Sequence, residues 1–219
     1  MGRFFKEKIT IKDLSVIILH QLRAFLKQSL YLFKDEGKKE AAEKLISQFR
    51  SNYTAEEVIE KFWKQDSENI IYEMASMYYC VIVGEVSRRF PKKALEIIRE
   101  VLETLKIDEM LDLIKYEREY RELWNKAYSR KRYNDDGSPL NDPYYCLAKK
   151  ATLRCFAENE GDWITPEIRD KPFRGEELSK NESLEINKTG VTLFSMMMIF
   201  RMVKHFGNDL SEVLKGFKV

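Results

Sequence analysis

The chain is poor in the residues that carry most enzyme chemistry and most covalent crosslinks. Its 219 residues include only three cysteines and two histidines, and Cys80, Cys146 and Cys155 form no CxxC pair. An odd, dispersed set of cysteines predicts neither a disulfide framework nor a zinc motif. Two histidines leave few nitrogen ligands for a zinc or di-iron centre. We therefore expect reduced thiols, no bound metal and no cofactor.

Sequence motifs that carry chemistry are missing as well. The chain has no glycine-rich phosphate loop, no GxSxG nucleophile elbow, no HExxH and no paired ExxH motif. The longest uncharged run, 189–200, has 12 residues, whereas a membrane-spanning helix needs about 20 apolar residues. No secretory signal is recognisable either. We expect a cytoplasmic protein without a membrane partner, and no catalytic motif identifies it as an enzyme.

The chain has no large excess of positive or negative charge. Lysine and arginine number 38 against 36 aspartate and glutamate residues, which leaves a net charge of +2. Such a balance provides no overall attraction to nucleic acid or to an anionic surface. Any charged partner must therefore be recognised by a local group of side chains.

Helical periodicity runs through most of the chain. Thr10 with Asp13 and Thr54 with Glu57 have the spacing of capping boxes, which begin helices. Asp142 followed by Pro143 predicts an N-cap and a proline at the first helical position. No segment alternates with the period of two that is typical of strands. The sequence predicts an all-α fold, a single domain over 1–219 forming a bundle of about seven to nine helices.

Three regions of this bundle carry specific expectations. After Pro91, an apolar stripe predicts the buried face of one helix and comprises Leu95, Ile98, Val101, Leu102 and Leu105. Residues 158–190 hold nine acidic and five basic side chains with two prolines, and they predict one long irregular acidic insertion. A final helix is expected over 191–206, ending at Gly207.

The segment 116–133 interleaves aromatic and basic side chains. Aromatic rings can stack on unpaired bases while cations bind phosphates, as in the recognition of single-stranded nucleic acid. The candidate nucleic-acid-binding residues are Arg118, Arg121, Trp124, Lys126, Arg130, Lys131 and Arg132. The alternative is that the aromatic spacing places this helix in the core while its arginines pair with glutamates.

Arg201 and His205 are the weak catalytic candidates. Their separation by four positions places them on one face of a helix. A histidine beside a cation could act as a general acid or base, and RNA cleavage is one reaction that uses such a pair. The alternative is favourable interaction of both side chains with the dipole at the C-terminal end of the helix.

Apolar side chains near the C-terminus suggest an interaction surface. Methionine-rich helix faces adapt to varied partners, although core packing is their commoner role. The candidates for this surface are Phe194, Met197, Met198, Trp163 and Phe173. Because no catalytic constellation is present, the sequence favours a helical protein that self-associates or binds another protein. Nucleic-acid binding is the second hypothesis and RNA cleavage the third.

Overall fold

A computed structural model of the chain confirms the all-α fold class. It describes residues 7–32, 35–49, 53–62, 67–108, 110–129, 142–155 and 166–219. The helices, in chain order, are α1 (Ile11–Leu32), α2 (Asp35–Phe49), α3 (Ala55–Phe62), α4 (Ser67–Arg89), α5 (Ala94–Ile107), a 3₁₀ helix (Leu111–Ile114), α6 (Glu117–Ser129), α7 (Pro143–Cys155), α8 (Pro166–Arg174) and α9 (Lys180–Lys215).

Two very short strands accompany the helices. Strand β1 (Glu7–Lys8) pairs in parallel with β2 (Phe217–Lys218) and brings the chain segment before α1 beside the one after α9. Within the described ranges, no helix combines the length and apolar character that a membrane span requires.

Helix starts follow the capping patterns of the sequence. At α1, the Asp13 carboxylate accepts from the Thr10 amide while the Thr10 hydroxyl accepts from the Asp13 amide. Thr54 and Glu57 form the same reciprocal pair at α3, and Asp142 accepts from the Tyr144 amide at 2.9 Å to cap α7. These bonds satisfy backbone donors that the first turn of a helix leaves without carbonyl partners.

By Cα proximity the chain divides into two compact units. The first comprises Met1–Ser29, Ile71–Leu147 and Phe200–Val219, and the second comprises Leu30–Ile70 and Ala148–Ile199. The single domain expected over 1–219 stays a prediction. In the first unit, an aromatic cluster joins three helices: Phe206 of α9 lies 5.1 Å from Phe25 of α1 and 4.7 Å from Tyr78 of α4, between ring centroids.

Two hydrogen-bonded pairs of buried polar side chains link helices in the first unit. The Tyr78 hydroxyl pairs with Ser29 at 2.5 Å, and burial raises the pKa of Tyr78 above its ordinary value. The Tyr120 hydroxyl donates to the buried carboxylate of Glu73. Such pairs fix the relative register of helices, because an unpaired polar group in the core is destabilising.

The second unit corrects the prediction for residues 158–190. Residues 158–165 lie outside the described part of the chain; in the remainder, residues 166–174 form α8 and residues 180–190 belong to α9 in place of an irregular insertion. Ser179 and Glu182 form a capping box that begins α9, and Lys171 of α8 donates to Glu182 at 2.8 Å. Local capping and ion pairing therefore stabilise helices in a segment whose prolines and charge indicated a loop.

The last helix also extends beyond its predicted end. Helix α9 passes through Gly207 and continues to Lys215. A Cβ added at Gly207 would lie 2.5 Å from the hydroxyl oxygen of Tyr144 in α7. Glycine is therefore present to admit the tyrosine ring against the helix backbone, whereas the sequence pattern indicated a C-terminal stop.

Candidate interaction surface

Helix α6 holds the described part of the candidate nucleic-acid site. Arg118 lies 3.3 Å from the Glu122 carboxylate, and Arg121 lies 3.3 Å from that of Glu117. Lys126 is exposed, and it too has an interaction partner. The cations of this helix are therefore interleaved with acids that reduce the potential available to a phosphate backbone.

Trp124, the candidate for base stacking, is part of the core. Only 6% of its surface is exposed, and its ring packs edge-on against Tyr144 at 5.2 Å between centroids. A Cβ added at Gly84 would lie 2.8 Å from the indole. In this arrangement the ring cannot stack on a base. Arg130, Lys131 and Arg132 lie outside the described residues.

Arg201 and His205 both lie on the exposed side of α9. The His205 Nδ1 atom is 3.4 Å from the Asp209 carboxylate, and the His205 ring contacts Phe25 edge-on at 5.5 Å between centroids. The pair shares a helix face as the spacing predicts. A histidine oriented by a carboxylate is one component of acid–base machinery, and it also occurs as an ordinary surface ion pair.

The methionine-rich candidate surface is only partly exposed. Phe194 and Met198 are half-buried, and Met197 is 41% exposed. Their spacing of three and four residues places them on one face of α9. Phe173 belongs to α8, but its side chain is not among those the structure describes, and Trp163 lies outside the described residues.

Helix α5 presents the most exposed large aliphatic side chains of the described chain. Its buried residues are Ala94, Ile97, Val101 and Leu105. Leu95, expected to be buried, is 83% exposed, and Ile107 is 79% exposed. Ile98 and Leu102 are half-buried. The prediction for Leu95 is wrong because α5 carries more apolar residues than one helix face can bury, and its core face is centred on Ile97 and Val101.

Leu95, Ile98 and Leu102 form a continuous row that we call the α5 stripe. They follow at positions i, i+3 and i+7, so all three point to one flank of the helix. The stripe borders the buried face on one side. Arg99 and Lys106 lie on its other side, and both are exposed. Neither forms an ion pair with another residue of the described ranges.

Other kinds of site find little support among the described residues. Among the described residues, no group of three or more histidine, cysteine, aspartate or glutamate side chains could hold a metal ion. Burial raises the pKa of the Cys80 thiol to about 12, which makes it a poor nucleophile. Comparisons with protein-family models, with curated proteins and with solved structures found no match.

Proposed function

We propose that this chain is a helical protein-interaction module that binds another protein through α5. The observation that carries the proposal is the α5 stripe, in which Leu95 stands 83% exposed beside the half-buried Ile98 and Leu102. Exposed aliphatic side chains in a continuous row are typical of surfaces that a partner covers. Positions i, i+3 and i+7 are also the anchor positions through which helices dock on one another.

Protein binding is better supported than nucleic-acid binding. On α6, Arg118 and Arg121 are engaged by glutamates, and Trp124 is buried. On α5, by contrast, the apolar row and the cations beside it are available to a partner. The methionine-rich face of α9 is a weaker candidate, because Met197 is exposed to only about half the extent of Leu95.

The test uses two matched substitutions, Leu95→Ser and Ile107→Ser. Both remove a highly exposed aliphatic side chain from α5. Their positions lie about 120° apart around the helix, on either side of its buried face, because successive residues advance by about 100°. Tagged wild-type and variant chains are purified from cells that express the protein natively, and co-purifying proteins are quantified by mass spectrometry.

We expect Leu95→Ser to deplete a specific partner while Ile107→Ser retains it. Thermal unfolding of the two variants serves as the control for folding, and both should unfold near the wild-type temperature because exposed side chains contribute little to stability. Equal recovery of every partner by wild type and Leu95→Ser would contradict the proposal.

A further inference from the structure

The cations beside the α5 stripe indicate the chemistry of the partner. Arg99 and Lys106 are seven residues apart, so they form a second row parallel to Leu95 and Leu102. A third exposed cation, Lys92, lies in the turn before α5. None of the three forms an ion pair with a described residue. Among the acids of α5, Glu96 pairs with Lys93 at 3.0 Å. Glu100 and Glu103 lie farther round the helix from the stripe than the cations do, with Glu103 within one turn of both Arg99 and Lys106.

We infer that the partner of α5 is an amphipathic helix whose apolar stripe is flanked by glutamate or aspartate. This inference rests on the proposed interaction function of the stripe. A docked helix would place its apolar anchors on Leu95, Ile98 and Leu102. The flank of that helix on the solvent side of the contact would then lie beside Arg99 and Lys106. Charge pairs at that position select the partner and its orientation, as flanking charges do in coiled coils.

The same row of cations disfavours a second copy of this chain as the occupant. In a two-fold antiparallel pairing, each flank of the contact meets the same flank of the other copy. Arg99 and Lys106 would then face the identical cations, which destabilises the pair. The observed side chains therefore fit a heterologous acidic partner better than antiparallel self-association through α5.

Two synthetic peptides test this inference with the full chain. Both are stapled helices with leucine at the anchor positions, one with glutamate and one with lysine along the flank. An exposed ion pair is worth about twofold to fivefold in affinity. We expect the glutamate peptide to bind more tightly by about tenfold, and the preference should shrink as salt is raised.

The double variant Arg99→Glu and Lys106→Glu provides the decisive comparison. We expect the affinity of this variant for the glutamate peptide to fall by about tenfold and its affinity for the lysine peptide to rise by a similar factor. Leu95→Ser should weaken the binding of both peptides, while Ile107→Ser should weaken the binding of neither. This pattern would support both the surface and its acidic partner.

Other outcomes separate the inference from the proposed function. If both peptides bind equally and Leu95→Ser weakens both, the interaction surface stands and the acidic partner is overturned. If neither peptide binds, or if Leu95→Ser changes nothing, α5 is not the docking surface and both proposals fall. A doubled mass in light scattering that Leu95→Ser returns to 26.1 kDa would identify a second copy as the occupant and overturn the inference.

Discussion

The substitution Gly84→Ala should destabilise the protein although it places a better helix former in the interior of α4. Alanine stabilises a helix interior by about 1 kcal/mol relative to glycine. Here the new Cβ would lie 2.8 Å from three atoms of the Trp124 indole. Forcing a carbon into a packed interior costs about 1–3 kcal/mol. The two effects together predict a net loss of about 1 kcal/mol.

Urea unfolding followed by far-ultraviolet circular dichroism measures this loss. The matched background is Trp124→Leu, in which the smaller side chain vacates the space beside Gly84. In that background Gly84→Ala should be neutral or stabilising, because only the helix-propensity gain remains. If Gly84→Ala stabilises the wild-type chain by about 1 kcal/mol, or has the same effect in both backgrounds, Trp124 does not pack against α4. Its role in nucleic-acid binding would then be open again.

Three further predictions concern buried or paired groups. Hydrogen bonds from Lys171 and Ser179 lower the pKa of Glu182 from 4.5 to about 2, so its stabilising contribution is complete above pH 4.5 and disappears as the pH falls toward 2; a titration midpoint near 4.5 by NMR would contradict this. Tyr120→Phe removes a donor from the buried Glu73 carboxylate and should lower the free energy of unfolding by about 1–3 kcal/mol, whereas an unchanged urea midpoint would show that the bond is dispensable. Cys80, with its raised pKa, should resist a thiol reagent at neutral pH until the chain is unfolded; rapid labelling of the native protein would refute its burial.

Local signals in the sequence predicted helix starts well. The pairs Thr10–Asp13 and Thr54–Glu57 form the capping bonds that their spacing indicates. These bonds depend only on neighbours three residues apart, so no tertiary information is needed to predict them. The all-α class followed from helical periodicity for the same reason.

The predictions that failed concern features that tertiary packing determines. Gly207 has the sequence pattern of a helix end, but its function is to admit the Tyr144 ring, which comes from a distant part of the chain. The apolar spacing of α5 predicts that Leu95 is buried, but the choice between overlapping apolar rows depends on how α5 is rotated against its neighbours. The surplus of apolar residues on α5 was the available signal, since one helix face cannot bury all of them.

For the candidate sites too, residue spacing predicts which side chains share a helix face but not what those side chains contact. The spacing of Arg201 and His205 correctly places both on one helix face, but periodicity alone could not reveal the neighbouring Phe25 ring. The aromatic spacing of α6 fits either a core face or a stacking surface. The burial of Trp124 favours the core.

Site-specific photo-crosslinking in cells that express the chain natively tests directly whether α5 is the binding surface. A photoreactive amino acid replaces Leu95 in one variant and, as the control, the exposed Arg118 of α6 in another. We expect irradiation to yield one protein adduct of defined mass from position 95 and no such adduct from position 118. No adduct from position 95, or the same adducts from both positions, would contradict the assignment of α5 as the binding surface.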